Sequence, residues 1–250
     1  MTLTALQTDI AWGDVHHNLD VAERLIAAAG TSDLYVLPEM FATGFATQPQ
    51  EIAESEDGTI LRWMKDMAHR KDAALAGSVA VQATDGTYRN RLYFVTPDGT
   101  TTYYDKHHLF TYADEHLTYT AGVPPVIVTW RGVRIMLQIC YDLRFPCFSR
   151  NRAVPYDLCL YVASWPASRR IAWDTLLRAR AIENQCYIAG INRIGDDPSC
   201  HYNGGTAIID PYGNPILTAP DDEESTLSHA LDLPRLYRFR EKFPVLRDAD

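Results

Sequence analysis

Three side chains of this sequence stand where an expected β-strand stops, and together they could open a carbonyl. Glu39 follows Tyr35-Val36-Leu37-Pro38, Lys106 follows Tyr103-Tyr104-Asp105, and Cys140 follows Leu137-Gln138-Ile139. A free thiol is only slightly ionised at neutral pH, so a catalytic cysteine needs a base or a positive field within hydrogen-bond reach. Glu39 can supply the base and Lys106 the field. Attack on an amide carbonyl also builds negative charge on its oxygen, and one preorganised donor there is worth about 3 kcal/mol. The Lys106 ammonium and the backbone N–H of Tyr141 are the candidate donors. Each residue alone has a plainer reading. A cysteine at a strand end is more often an inert core residue, as Cys159 and Cys186 are expected to be; Glu39 would be a surface carboxylate and Lys106 a solvated lysine. A Cys-His pair using His107 or His108 is the conventional alternative. A redox-sensing thiol and a non-catalytic scaffold are readings of another class.

The elements that must position these residues follow from apolar periodicity. The opening reads as strand (Leu3 to Gln7), amphipathic helix (Asn18 to Ala29) and short apolar strand (Leu34 to Leu37). A second helix, Thr59 to Lys71, leads into strands over Ala74 to Val81, Tyr88 to Thr96 and Thr100 to Tyr104, joined by Asp85-Gly86 and Pro97-Asp98-Gly99 turns. A polar and aromatic loop, Lys106 to Pro125, precedes a hairpin of Val126 to Trp130 and Val133 to Ile139. The remainder is expected to be helical over Phe145 to Arg152 and Ile171 to Gln185. Strands are expected over Leu158 to Ala163, Tyr187 to Ile191, Thr206 to Asp210 and Ile216 to Ala219, with Asp221 to Glu224 a solvated loop. Ligands of sheets flanked by helices bind outside the carboxyl ends of strands, so the three side chains would converge if their strands share one sheet.

Composition narrows the partners. A chain of 250 residues, 46% hydrophobic and 22% charged, without repeats or a Ser/Gly-rich linker, reads as a single domain over 1–250. Its formal net charge of -9 disfavours nucleic acid and anionic membranes, and the densest basic cluster is only Arg169-Arg170. No run approaches the roughly 20 apolar residues of a membrane span. Five cysteines without a CxxC pair suggest reduced thiols in the cytoplasm, with neither a disulfide framework nor a zinc knuckle, and no metal-ligand spacing is seen.

The local sequences around the three residues are similar to those of the nitrilase superfamily of carbon-nitrogen hydrolases. Leu37-Pro38-Glu39-Met40-Phe41 resembles its glutamate motif, Tyr104-Asp105-Lys106-His107-His108-Leu109-Phe110 its lysine motif, and Cys140-Tyr141-Asp142-Leu143-Arg144-Phe145-Pro146 its cysteine motif. Similarity continues through Ala113 to Leu117, Tyr161 to Pro166 and Arg178 to Asn184, covering Leu3 to about Asp232, and most resembles the bacterial ω-amidase (2-oxoglutaramate amidase) branch, including Arg240 to Pro244. One departure is Thr206 after Gly204-Gly205, where the family usually has serine; threonine keeps the hydroxyl.

The resemblance implies a four-layer α-β-β-α sandwich with two mixed β-sheets. It also implies a thioester on Cys140, Glu115 as a second glutamate that orients substrate and lysine, and no cofactor. The implied substrate is the ω-amide of a small 2-oxo dicarboxylate such as 2-oxoglutaramate, with Arg144 clamping its carboxylate. A structural Arg144 paired with Asp142 or a carbonyl is the alternative. Nitriles and aliphatic or N-carbamoyl amides are alternative substrates for the same Glu-Lys-Cys set. Trp165, Trp173 and Phe41 are candidates to wall the pocket. A homodimer or larger homo-oligomer is implied, with the Ile171 to Gln185 helix near the interface and a tail from about residue 232 packing on a partner subunit.

Overall fold

The chain runs through β1 (Thr2–Gln7), α1 (Val15–Ala28), β2 (Leu34–Val36), the two-residue β3 (Glu54–Ser55), α2 (Thr59–Lys71), β4 (Ala74–Gln82), β5 (Tyr88–Val95) and β6 (Thr101–Asp105). After the short α3 (Glu115–Thr118) come β7 (Val126–Trp130), β8 (Val133–Ile139), β9 (Leu158–Ala163), α4 (Arg170–Asn184) and β10 (Tyr187–Asn192). A small hairpin of β11 (Ile194–Asp196) and β12 (His201–Asn203) precedes β13 (Ala207–Ile209), β14 (Pro215–Thr218), β15 (Ser225–Ala230) and α5 (Leu233–Lys242). This computed structural model describes residues 1–123, 125–151 and 155–248.

Alternation of apolar residues decides how these strands stack. One mixed sheet has the order β15-β1-β2-β4-β5-β6, with β3 beside β4, and the other β14-β13-β10-β9-β8-β7. Along β9, Leu158, Leu160 and Val162 join Leu3, Ala5, Leu34, Val36 and Leu92 of the first sheet in an inner core. The alternate residues Cys159, Tyr161 and Ala163 face outward, under Trp173, Leu177 and Ala181 of α4. On the far side, Leu25 and Ile26 of α1 and Met64 and Met67 of α2 cover Leu6, Tyr35 and Leu75. Each fully buried Leu or Val contributes about 1.5–3 kcal/mol, so the inner layer holds the sheets face to face. The expected four-layer α-β-β-α sandwich is what forms.

Most expected elements fall within two residues of those observed. Helix α1 begins three residues earlier than expected because Asp14 caps it, accepting from the backbone N–H of His17. The expected helix from Phe145 to Arg152 does not form over its described part; Arg152 lies outside the described residues. A single 3-10 turn spans Cys140–Arg144 instead, and Phe145 has left helical geometry at φ -115 and ψ 87. Pro146 disfavours helix at the residue before it and lacks a backbone donor. Within the loop from Lys106, the structure adds a 3-10 turn (Thr111–Ala113) and α3.

Further elements were not expected, among them β3, β15, α5 and the β11–β12 hairpin. In β15 only Leu227 is buried, because it is an edge strand paired with β1. Through Lys242 the tail is docked on its own chain. Leu236 of α5 is buried, and Arg240 reaches Asp157 and the carbonyls of Tyr156 and Gln185. Among the described residues no helix is long and apolar enough to cross a membrane.

Candidate active site

Glu39, Lys106 and Cys140 do not come from one sheet, so the condition under which strand order would bring them together is not the one that applies. Strands β2 and β6 belong to the first sheet and β8 to the second. The residues meet because face-to-face stacking brings the ends of both sheets together, which strand order alone does not reveal.

Just past β2, Met40 sits in the left-handed region at φ 45, held by a 2.9 Å bond from its N–H to Ser78 Oγ. This turns Glu39 inward, fully buried. Its Oε1 accepts from Lys106 Nζ at 2.9 Å and Asn90 Nδ2 at 2.8 Å, and its Oε2 from the Ser164 backbone N–H at 2.8 Å. Lys106 is pinned by its own backbone: its N–H donates to the Asn90 carbonyl at 2.9 Å, and its carbonyl accepts from Gly122 N–H at 3.0 Å. Glu115 follows left-handed Asp114 at φ 58 and takes the other side of the ammonium at 2.9 and 3.1 Å. Two carboxylates thus share one ammonium away from water.

The charges respond accordingly. Burial alone would lower the Lys106 pKa, but Glu115 and Glu39 outweigh it and hold the ammonium charged. Burial pushes Glu115 above the usual carboxylate range; Lys106 opposes this and the Glu39 charge adds to it.

Cys140 is another left-handed residue, at φ 45, where β8 turns into the 3-10 helix. A non-glycine residue there is strained, and such strain persists where the surroundings enforce it. The half-buried thiol lies 3.9 Å from the Ser164 carbonyl, beside Glu39. Burial raises its pKa well above the ordinary thiol value, Glu39 pushes the same way, and Lys106 opposes both. Tyr141 follows at the start of the turn, where helical N–H groups have no intrahelical acceptor.

These side chains open onto a cavity that also exposes Tyr141, Arg144 and Trp165. Arg144 has no carboxylate or carbonyl partner among the described residues, and its guanidinium lies 4.9 Å from the centroid of the Trp165 ring. Asp142, the expected alternative partner, is fully engaged elsewhere. Of the three aromatic candidates only Trp165 reaches the cavity; Phe41 and Trp173 belong to the outer cores. Neither His107 nor His108 faces the thiol: His107 Nδ1 meets the Gly122 carbonyl at 2.7 Å, and His108 Nδ1 meets Asp142 at 2.8 Å. Cys159 and Cys186 are buried in the core under α4, as expected. The Thr206 hydroxyl accepts from Asn192 N–H at 3.0 Å and donates to the Asn192 carbonyl at 3.1 Å, the work a serine hydroxyl would do.

Sequence reasoning missed several contributors. Asn90, whose amide touches both Glu39 and Glu115, carried one signal: asparagine is depleted within strands. The Ser164 N–H is backbone and carried none. Arg169, noticed only as part of a short basic pair, lines the cavity with its guanidinium 5.4 Å from the Phe110 ring centroid.

Residues 2–241 match the carbon-nitrogen hydrolase family. The chain is 46% identical to the ω-amidase YafV of Escherichia coli, covering 100% of this chain and 97% of that protein. It is 35% identical to a 2-oxoglutaramate amidase of Bacillus subtilis, covering 99% and 96%. Among solved structures, a CN-hydrolase superfamily protein of Xanthomonas campestris with an arsenic adduct in its active site superposes with a TM-score of 0.96 at 42% identity, covering 100% and 97%.

Proposed function

The chain belongs to the carbon-nitrogen hydrolase family, and from that premise we propose that it hydrolyses the ω-amide of a small 2-oxo dicarboxylate monoamide, such as 2-oxoglutaramate, to the acid and ammonia. The full-length likeness to an ω-amidase and a 2-oxoglutaramate amidase supports the substrate class. The observation that carries the chemistry is the shared ammonium: Lys106 Nζ lies 2.9 Å from both Glu39 and Glu115 at the cavity that Cys140 faces.

In the proposed mechanism the thiol is neutral at rest, since burial and Glu39 both hold its proton on. Glu39 takes that proton as sulfur attacks the amide carbon, so charge passes from carboxylate to developing oxyanion rather than resting on an isolated thiolate. The Lys106 ammonium and the Tyr141 N–H stabilise the oxyanion. Collapse breaks the C–N bond; Glu39 returns the proton to the nitrogen, ammonia leaves and a thioester remains on Cys140. Water, deprotonated by Glu39, attacks the thioester and releases the carboxylic acid and the free thiol. Glu115 keeps the lysine charged and oriented. Arg144, without a carboxylate or carbonyl partner among the described residues, clamps the substrate carboxylate.

A raised thiol pKa works against a redox-sensing role, because oxidation follows thiolate character. Self-association through α4 belongs to the same proposal, supported by Ile171 and Ile182, which leave large apolar surface exposed on that helix. The odd cysteine count supports a reducing, cytoplasmic setting.

Mass detection of the intact protein during turnover of an amide panel tests the reading. An acyl adduct on Cys140, with ammonia released from 2-oxoglutaramate faster than from simple aliphatic amides or nitriles, is expected. Adducts from nitriles alone would replace the substrate class.

A further inference from the structure

Because β6 and β8 lie in different sheets, no backbone ladder sets the distance between Lys106 and Cys140. The inner core between the sheets is apolar, and apolar packing is non-directional. Glu39 links the ammonium to the second sheet through the Ser164 N–H, which lies just past β9 and not on the cysteine turn. A direct tie between the lysine segment and the cysteine turn must come from elsewhere.

Asp142, fully buried two residues after the nucleophile, makes that connection. Its Oδ2 accepts from the Ile139 N–H at 3.0 Å and the Tyr104 hydroxyl at 2.8 Å. Its Oδ1 accepts from the His108 N–H at 3.0 Å and meets His108 Nδ1 at 2.8 Å, which makes Nδ1 the protonated nitrogen. The Tyr104 hydroxyl in turn accepts from the His107 N–H at 3.1 Å. The His108 ring is fixed by stacking on Phe145, with centroids 3.8 Å apart. Closing a 3-10 turn requires only the bond to Ile139. The other three bonds lead away from the turn to residues on both sides of Lys106, and they occupy the remaining acceptor sites of the carboxylate.

We infer that Asp142 is a positioning residue that sets the Lys106 ammonium against Cys140 across the gap between the two sheets, with Tyr104 and His108 as its two arms. This rests on the proposed role of Lys106 at the oxyanion. Asn at this position has one acceptor oxygen, and in either orientation its NH2 would face a backbone donor, the Ile139 or the His108 N–H, so the four-bond set cannot survive intact. Loss of alignment by about an ångström costs on the order of 10²-fold in rate.

Asp142→Asn and Tyr104→Phe are the test, each checked for folding by melting temperature. For Asp142→Asn, kcat on the ω-amide is expected to fall about 10²-fold with KM held within about twofold, since the substrate clamp is untouched. Tyr104→Phe removes one arm and keeps the Asp142 charge, so a smaller loss of about tenfold is expected, and the pH profile of Cys140 alkylation by iodoacetamide should move to higher pH. The direction follows because Lys106 lowers the thiol pKa, and its withdrawal raises it. Alkylation uses no amide, so it decides the positioning claim even if the wild-type protein turns over none, a result that would sink only the functional reading. Folded Tyr104→Phe with an unchanged alkylation profile would overturn the inference, and so would an unchanged kcat in folded Asp142→Asn. Should Asp142→Asn not fold, Tyr104→Phe and His108→Ala are read by the same criteria.

Discussion

Two ionic clusters in this chain use similar side chains in opposite proportion. Asp157, just before β9, is a single buried carboxylate held by Arg134 at 2.8 Å and Arg240 at 3.0 Å. The two guanidiniums reach water, with side chains 33% and 14% exposed. At the other cluster, two carboxylates face one ammonium, and none of the three side chains is more than 1% exposed. Excess cation satisfies every acceptor and pins α5 to its own sheet. Excess carboxylate away from water is unfavourable, since burial first and the Glu39 charge after it raise the Glu115 pKa, and it leaves acceptor capacity beside a thiol. The lesson is that stoichiometry and solvent access distinguish a brace from a proton-transfer site, where the mere presence of a buried salt bridge does not.

The sharpest way to break this contrast is Glu39→Gln. Ammonia release is expected to drop by about 10²–10⁴-fold as the base is lost. Alkylation of Cys140 at fixed pH should nevertheless become faster: the Glu39 charge raises the thiol pKa, so removing it lowers that pKa and increases the thiolate fraction. Slower alkylation would show that Glu39 does not act on the thiol through its charge.

Asp157→Ala should do the reverse, lowering stability and leaving the chemistry alone. A loss of about 2–3 kcal/mol is expected in urea unfolding, less than the 3–5 typical of a fully buried broken pair because the arginines reach water. Unchanged kcat and KM in the folded protein would complete the contrast; a fall in kcat at intact stability would erase it. The smallest effect belongs to Arg144→Ala, which should raise KM about tenfold for carboxylate-bearing amides, the scale of one charged hydrogen bond. Simple aliphatic amides should be spared, and equal losses for both would remove the clamp.

Much of the fold was legible because the inner and outer faces of the strands differ in every second residue. Leu158 to Ala163 and the hairpin from Val126 to Ile139 needed no tertiary information. Strand β15, reading Ser-Thr-Leu-Ser-His-Ala, escaped notice because an edge strand buries only one large side chain. Helix α5 escaped because its attachment is mainly polar, through Arg240 rather than an apolar stripe. In the site, Glu39, Lys106, Glu115 and Cys140 were legible through motifs that carry their side-chain chemistry. Ser164, which contributes a backbone N–H, was not.

By itself the sequence determined which groups can react, since thiol, carboxylate and ammonium are properties of residue type, and it determined the layers, since alternating hydrophobicity is a local pattern. Tertiary structure alone decided that the nucleophile comes from one sheet and its partners from the other. It also decided that Asp142 is spent on the lysine segment and leaves Arg144 to the cavity. Distances between side chains far apart in the chain depend on how two sheets pack, and no local rule of spacing contains them.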